Sequence, residues 1–178
     1  FDFSIIKRAI DKGIVSITFV NIREFARDSY NSVDDKPYGG GTGMILKVDI
    51  IDAAIQSVKT KLKCSPGQIC TILLDPKGEI YNENTTLSLT KYLNLILICG
   101  HYEGVDERVN NLVDKVLSIG DFVLTGGELA AMVVADSVTR LLPNALKGAN
   151  VTSEESFSLK DGAEPLLEYP QYTKPREF

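Results

Sequence analysis

Acidic and basic side chains that could support acid–base chemistry are concentrated in the second half of the chain. Asp136 and Arg140 lie four residues apart in a helical pattern, and this spacing predicts a surface ion pair contributing about 0.3–0.5 kcal/mol. Glu103 is of a type that usually caps a turn or faces solvent, and Glu154 with Glu155 is typical of an exposed acidic loop. The full set of polar candidates that we expect around a ligand cleft is Tyr102, Glu103, Asp106, Glu107, Arg108, Asp121, Glu128, Asp136 and Arg140.

Several common chemistries lack their sequence motifs. The glycine run at residues 39–43 does not fit G-x-G-x-x-G, and G-x-x-x-x-G-K-[ST] does not occur. His101 could act as the base of a catalytic triad, but no G-x-S-x-G elbow supplies the serine. Because His101 is the single histidine, a two-histidine metal site is excluded. The residue pattern therefore gives little support to phosphoryl transfer or triad hydrolysis.

A glycine-bearing turn at residues 118–127 joins a strand end to a long apolar helix. Its glycines allow a sharp bend with room for a small ligand against peptide groups, although a tight turn without a ligand fits this segment equally well. Residues 73–78 and 100–104 form two further glycine- or proline-bearing loops after strands. Because ligands of parallel sheets bind outside the carboxyl ends of the strands, we expect the three loops to converge on one cleft.

Hydrophobic periodicity predicts the elements that position these loops. Helical periodicity indicates helices at residues 3–10, 51–62, 84–93, 105–113 and 129–142. Alternation or short apolar runs indicate strands at residues 15–20, 68–74, 94–100 and 116–119, with residues 75–78 breaking the second of them. This order predicts an α/β fold whose mostly parallel sheet has helices on both faces. Beyond Pro143 the chain is polar, so residues 1–143 are predicted to form the domain and 144–178 a flexible linker or active-site loop.

Composition limits the classes of protein to consider. The chain has 178 residues, is 44% hydrophobic and carries a net charge of -5, which suits one domain with its own core and argues mildly against wrapping nucleic acid by bulk charge. No apolar run reaches the roughly 18 residues that span a bilayer, and no signal peptide is visible. Cys64, Cys70 and Cys99 are odd in number and lack C-x-x-C spacing, which disfavours a zinc site or disulfide framework and favours a cytoplasmic location.

Five motifs in a fixed order carry a family resemblance. They read P-Y-G-G-G-x-G-M from Pro37, C-G-H-Y-E-G-x-D-E-R from Cys99, S-I-G-D from Ser118, G-G-E-L from Gly126 and D-S-V-x-R from Asp136. In register over nearly the whole chain, they closely resemble the bacterial tRNA guanine-N1 methyltransferases of the TrmD type.

The resemblance implies a SPOUT-like domain whose C-terminal part is tied in a deep trefoil knot, an exception to the rule against threading. S-adenosylmethionine would lie bent among the three loops, in a homodimer with its sites at the subunit interface. The substrate would be the guanosine immediately 3′ of the anticodon in tRNA. The implied cofactor-binding residues are Leu73, Leu74, Pro76, Gly100, Tyr102, Glu103, Gly104, Ser118, Ile119, Gly120, Asp121, Phe122, Val123, Leu124, Gly126 and Gly127.

The resemblance also implies a carboxylate and a guanidinium as the catalytic groups. Guanine N1 carries a proton that a general base must remove, and charge then develops on O6, where a guanidinium can stabilise it. By family match Arg140 is the O6 partner and Glu155, in an E-S-F motif, is the base, with Glu154 as the fallback. The methyl sulfonium needs in-line positioning and no metal. The family usually has aspartate at Glu155, and S-P-Q-G where this chain has D-P-K-G from Asp75.

The family pattern extends at both ends, with a strand before Phe1 and a helical domain that grips tRNA after Phe178. We therefore expect this chain to bind the cofactor and to methylate tRNA poorly. Two other interpretations remain open. One is a knotted methyltransferase acting on another RNA position, in which Arg140 would not face a guanine O6. The other is a non-catalytic RNA-binding or dimerisation module.

Overall fold

The computed structural model describes residues 1–148, 151–153, 155–158, 160–161 and 164–177, and helices and strands are interspersed along the part up to Pro165. The helices are α1 (Ser4–Asp11), α2 (Val48–Leu62), α3 (Glu83–Leu89) and α4 (Glu128–Leu141). The strands are β1 (Asp34–Asp35), β2 (Ile45–Leu46), β3 (Ile69–Ile80), β4 (Asn94–Cys99), β5 (Lys115–Ser118), β6 (Lys160–Asp161) and β7 (Glu164–Pro165). Short 3-10 helices occupy Ile22–Phe25, Pro66–Gln68, Glu107–Leu112 and Val151–Ser153.

The central sheet is parallel and has the order β4-β3-β5. Ile69 pairs with Asn94 and Leu74 with Cys99, so the carboxyl ends of β3 and β4 are aligned. Two short antiparallel pairs, β1 with β2 and β6 with β7, lie outside this sheet. The parallel sheet predicted from the apolar runs is confirmed.

Helices cover both faces of the sheet. Successive side chains of β3 point to opposite faces, so neighbouring residues of this strand contact different helices. Ile72 packs in one core cluster with Leu89 of α3 and Val134 of α4. Leu73, the next residue, packs in a second cluster with Ile50 of α2 and neighbouring residues. All of these side chains are buried. This two-sided burial explains why β3 and β4 read as continuous apolar runs in the sequence.

The predicted break at residues 75–78 is instead a loop within β3. Leu117 of β5 pairs with Leu74 and again with Glu79, so the four intervening residues leave the ladder and the strand then resumes. A Cβ atom added to Gly78 would lie 2.5 Å from the Leu117 backbone nitrogen, and only glycine allows the strands to approach this closely. Proline and glycine do interrupt the pairing here, but strand pairing resumes after them.

The strand predicted at residues 15–20 is wrong. Among the described residues, this segment joins no strand ladder and runs as extended coil. Val15 and Ile17 are half-buried, whereas Phe19 is 82% exposed and its ring packs beside that of Phe1. Apolar alternation therefore identified two of the three side chains that face the protein, and a strand also requires a neighbouring backbone with which to exchange hydrogen bonds.

Two predicted helices are shorter than expected. The prediction at 84–93 ends as α3 at Leu89, after which the Leu93 N–H donates to the Gln68 carbonyl. The prediction at 105–113 becomes the 3-10 helix Glu107–Leu112, because Asp106 is held by a backbone hydrogen bond to Leu46 before the helix begins. No helix within the described ranges combines the length and apolar character that crossing a membrane requires.

Candidate active site

The three predicted loops meet around one cavity of about 270 Å³. Its walls come from residues 74–77, 100–105, 117–120 and 122–127, with Ala130 of α4 closing one side. The convergence expected from the strand order is therefore present in the structure. The volume is close to the lower end of small-molecule sites, about 300–1,000 Å³.

Backbone contacts bring the third loop to the second. Because β5 and β4 flank opposite sides of β3, the chain must cross the carboxyl end of β3 after leaving β5. It arrives beside β4, where Gly126 forms a bridge with His101 and the Gly127 N–H donates to the Gly100 carbonyl at 2.8 Å. A Cβ atom on Gly127 would lie 2.8 Å from the Cys99 Cα, so this approach depends on glycine.

Most of the predicted cofactor-binding residues line this cavity. They are Leu74, Pro76, Gly100, Tyr102, Glu103, Gly104, Ser118, Ile119, Gly120, Phe122, Val123, Leu124, Gly126 and Gly127. The Leu73 side chain instead packs in the core cluster on the α2 side, and Asp121 is exposed and does not line the cavity. The lining also includes residues not predicted as binding residues: Asp75, Lys77, His101, Val105, Leu117, Thr125 and Ala130. His101 and Thr125 lie between predicted binding residues, so their position within the predicted loops was the sequence signal that could have identified them.

The second loop is shaped by an unusual backbone conformation and by the glycine-rich segment at residues 39–43. Tyr102 has φ +60, a left-handed conformation that is uncommon for a residue with a side chain. The next residue, Glu103, donates its N–H to the Met44 carbonyl at 3.1 Å, and its side chain lies where a Cβ on Gly43 would be. The glycine-rich segment therefore supports Glu103 at the cavity wall.

Two titratable groups near the cavity have shifted pKa values. A side-chain hydrogen bond from Arg108, at 2.7–2.9 Å, holds the pKa of the Asp106 carboxyl below its usual value. Burial raises the pKa of the Cys99 thiol to about 11, and the charge of Glu128 adds to this shift. Cys99 is therefore a neutral thiol at physiological pH and is poorly suited to act as a nucleophile.

Arg140 and Glu155, the two predicted catalytic residues, form an ion pair of 2.7 Å. The predicted pairing of Arg140 with Asp136 is replaced by this contact, which crosses from α4 to the segment after it. The side chains of Arg140 and Glu155 are 36% and 26% exposed, so the pair is accessible to a ligand. Glu154, the alternative base, lies outside the described residues.

The ion pair and the cavity lie at opposite ends of α4. Ala130 lines the cavity, and Arg140 follows ten residues later, which corresponds to about 15 Å along a helix.

Another depression, of about 320 Å³, is lined by charged and aliphatic residues at 77–79 and 113–116 and contains none of the predicted site residues. Among the described residues, no cluster of three or more His, Cys, Asp or Glu side chains could hold a metal ion.

Comparisons with known proteins agree over the full length of the chain. A family model described as "tRNA (Guanine-1)-methyltransferase TrmD" matches residues 1–178. A tRNA (guanine-N(1)-)-methyltransferase of Dictyoglomus turgidum is 48% identical over 178 residues, which cover 100% of this chain and 68% of that protein. One of the same name from Malacoplasma penetrans is 50% identical over 175 residues, 98% of this chain and 72% of the relative.

A solved structure resembles the fold closely. The crystal structure of tRNA (m1G37) methyltransferase from Aquifex aeolicus superposes with a TM-score of 0.78 at 38% identity. The match covers 99% of this chain and 70% of that one.

Proposed function

The chain belongs to the tRNA (guanine-1)-methyltransferase TrmD family, and we propose that it methylates N1 of the guanosine 3′ of the anticodon in tRNA, position 37, with S-adenosylmethionine as the methyl donor. The observation that carries the proposal is the cavity that three loops, distant in sequence, form together. These loops contain the glycines and apolar residues expected of a nucleoside-binding site.

The cavity lining fits S-adenosylmethionine. Its walls combine apolar side chains, such as Ile119 and Leu124, with the backbone groups of glycine-rich turns. A Cβ on Gly104 would project into open space, so the backbone there is available for close approach by a ligand. When bound, this donor supplies a methyl group on a positively charged sulfonium. The protein provides the shape that orients it and the exclusion of water around it.

The proposed acid–base step uses the Arg140–Glu155 pair. Guanine presents an N1–H donor beside an O6 acceptor. The pair presents the complementary groups, a carboxylate acceptor beside a guanidinium donor. Guanine can therefore donate its N1–H to the Glu155 carboxylate and accept a hydrogen bond at O6 from the Arg140 guanidinium. Glu155 then accepts the N1 proton, and Arg140 stabilises the negative charge that develops on O6.

We propose that two subunits complete each site. Within one protomer the ion pair is separated from the cavity by most of α4, so one chain does not bring the two together by itself. Apolar side chains are exposed along the same helix and loop: Phe122, Val123, Leu129, Met132 and Val133, with Val123 83% and Leu129 57% exposed. An apolar patch of this kind is typical of a protein–protein interface. A two-fold dimer through α4 would place the Arg140–Glu155 pair of one subunit near the cavity of the other.

The proposed trefoil knot is supported by the path of residues 118–127. This segment crosses the end of β3 and is fixed to β4 before α4 packs back on the sheet. Threading would make the cavity loops unable to separate without unfolding of the domain. The boundary after residue 143, with residues 144–178 as an active-site segment, is likewise part of the proposal, and Glu155 contacts Arg140 from that segment.

The experiment that tests the proposal is transfer of labelled methyl groups to tRNA carrying either guanosine or adenosine at position 37. Excess protein and a single turnover allow a slow reaction to be measured. We expect N1-methylguanosine only with the guanosine substrate, and binding of S-adenosylhomocysteine by calorimetry. Methylation at another position would favour a different RNA target. Failure to bind S-adenosylhomocysteine would favour a non-catalytic module.

Gly127→Ala is expected to weaken S-adenosylhomocysteine binding by about 5–150-fold, since overpacking costs about 1–3 kcal/mol. The added methyl would meet the backbone of Cys99 and Gly100, which cannot move as a side-chain end can. Calorimetry checks the affinity, and circular dichroism checks the fold. Gly67→Ala is the matched control, because its Cβ would meet nothing within 4 Å and its binding should match wild type. Equal affinity for Gly127→Ala would contradict the proposed cofactor site.

Mixing two impaired variants is expected to restore activity if each site draws on two subunits. Gly127→Ala binds the methyl donor weakly, so it is nearly inactive at a donor concentration well below its own dissociation constant, and Arg140→Ala lacks the guanidinium. In a mixed dimer one of the two sites combines the intact cavity with the intact Arg140, so random exchange should recover about a quarter of wild-type activity. Each variant mixed with itself is the control. Activity that stays at the level of the single variants after subunit exchange would place all the catalytic groups within one subunit.

A further inference from the structure

Glu155 is carried by a hairpin whose two arms are hydrogen-bonded to each other. β6 and β7 pair antiparallel at its outer part. Nearer its base, the Phe157 N–H donates to the Leu166 carbonyl at 2.7 Å. We call the described residues of this segment, 155–158, 160–161 and 164–168, the base hairpin.

Ser156 and Glu168 fasten the two arms together beside Glu155. The Ser156 backbone N–H and its hydroxyl both donate to Glu168 Oε2 at 3.3 Å. In return, the Glu168 N–H donates to Ser156 Oγ at 3.1 Å. Two of these three bonds end on a carboxylate, and hydrogen bonds to a charged acceptor are the stronger kind. Gln171 Nε2 donates to the other carboxylate oxygen at 3.1 Å.

These bonds hold a turn with an unfavourable backbone conformation. The Ser158 N–H donates to the Glu155 carbonyl at 3.0 Å, which closes a four-residue turn. Phe157, inside this turn, has φ +69, a region that residues with a Cβ seldom occupy. Such conformations persist only where the surroundings fix them. Here the fixing contacts are those of Ser156 with Glu168 and of Phe157 with Leu166.

We infer that Glu168 is a positioning residue for the proposed base: its carboxylate holds Ser156, and thereby keeps Glu155 in line with Arg140. This inference rests on the proposed function. Glu168 is exposed and its carboxylate accepts hydrogen bonds from Ser156 and Gln171, so it acts on the reaction through Ser156 and thereby through Glu155. Without the Ser156–Glu168 bonds the turn is free to relax, and the Glu155 carboxylate leaves its position beside Arg140.

Glu168→Ala is expected to lower kcat by about 10–100-fold, the usual effect of displacing a catalytic group by ~1 Å. The KM for S-adenosylmethionine and the affinity for S-adenosylhomocysteine should stay at the wild-type values, because the cavity is formed by other residues. Glu168→Gln keeps an oxygen acceptor for Ser156 and should recover most of the lost rate. Gln171→Ala removes only the bond to Oε1 and is the matched control, with kcat near wild type.

The decisive measurement is the double variant with Glu155→Gln. A residue that acts only by placing Glu155 has nothing left to place, so Glu168→Ala should cause no further loss of kcat in that background. Full wild-type kcat in Glu168→Ala, or a further loss in the Glu155→Gln background, would overturn the inference. These results differ from failure of the proposed function, in which wild type itself forms no N1-methylguanosine and the inference falls with it.

Discussion

Arg140→Ala is expected to reduce kcat for N1 methylation by about 10²–10³-fold, the usual cost of removing one preorganised donor from a developing oxyanion. Arg140 is the described guanidinium paired with the proposed base, and its side chain remains 36% exposed, so guanine O6 can reach it. Substrate binding loses one hydrogen bond, whereas the transition state loses a charge-assisted contact, so kcat falls more than KM rises. Single-turnover methylation rates on guanosine-containing tRNA check this result.

Arg140→Lys and Arg8→Ala separate the possible causes of that loss. Lysine keeps the charge but not the planar fork, so its rate should lie between those of wild type and alanine. Arg8 lies exposed on α1, and its replacement by alanine controls for the removal of one positive charge from a protein that binds RNA. Binding of S-adenosylhomocysteine should be unaffected in all three variants. If Arg140→Ala methylates at the wild-type rate, the O6 partner is another residue.

Elements with a strong apolar signal were predictable from the sequence. α2, β4 and α4 lie within a few residues of their predicted bounds, because each buries a long apolar stripe or run against the sheet. The prediction failed where pairing decides the structure. Residues 15–20 alternate in sequence but meet no partner strand among the described residues, and residues 75–78 contain breakers yet the strand resumes with Leu117 paired twice. Local periodicity contains no information about such distant partners.

The candidate site shows the same limit. Loop positions after strands predicted the cavity, since parallel strands place their carboxyl ends together. The spacing of Asp136 and Arg140 predicted an ion pair on the helix surface, but in the structure Arg140 pairs with Glu155, fifteen residues away. A bond between a helix and a distant turn depends on how the base hairpin folds back. That fold depends in turn on Ser156 and Glu168, whose contact no sequence pattern indicated.

Glu155→Gln is expected to lower kcat by about 10²–10⁴-fold, the range for loss of a general base. Glutamine keeps the length of the side chain and an oxygen near Arg140 but cannot accept the N1 proton. The fold, the affinity for S-adenosylhomocysteine and the thermal midpoint should therefore change little. The measurement is the single-turnover rate, with circular dichroism as the check on folding. Glu177→Gln, an exposed carboxylate in the same tail, is the charge-matched control and should keep the wild-type rate.

Glu155→Asp tests position separately from chemistry. Aspartate retains a base but is one methylene shorter, and in this chain the longer side chain reaches Arg140 at 2.7 Å. A displacement of ~1 Å costs up to ~100-fold, so aspartate should be slower than wild type and faster than glutamine. Wild-type activity in Glu155→Gln would transfer the role of base to another carboxylate, with Glu154 the first to test. The order glutamate, aspartate, glutamine would instead require both a proton acceptor and the reach that the base hairpin gives it.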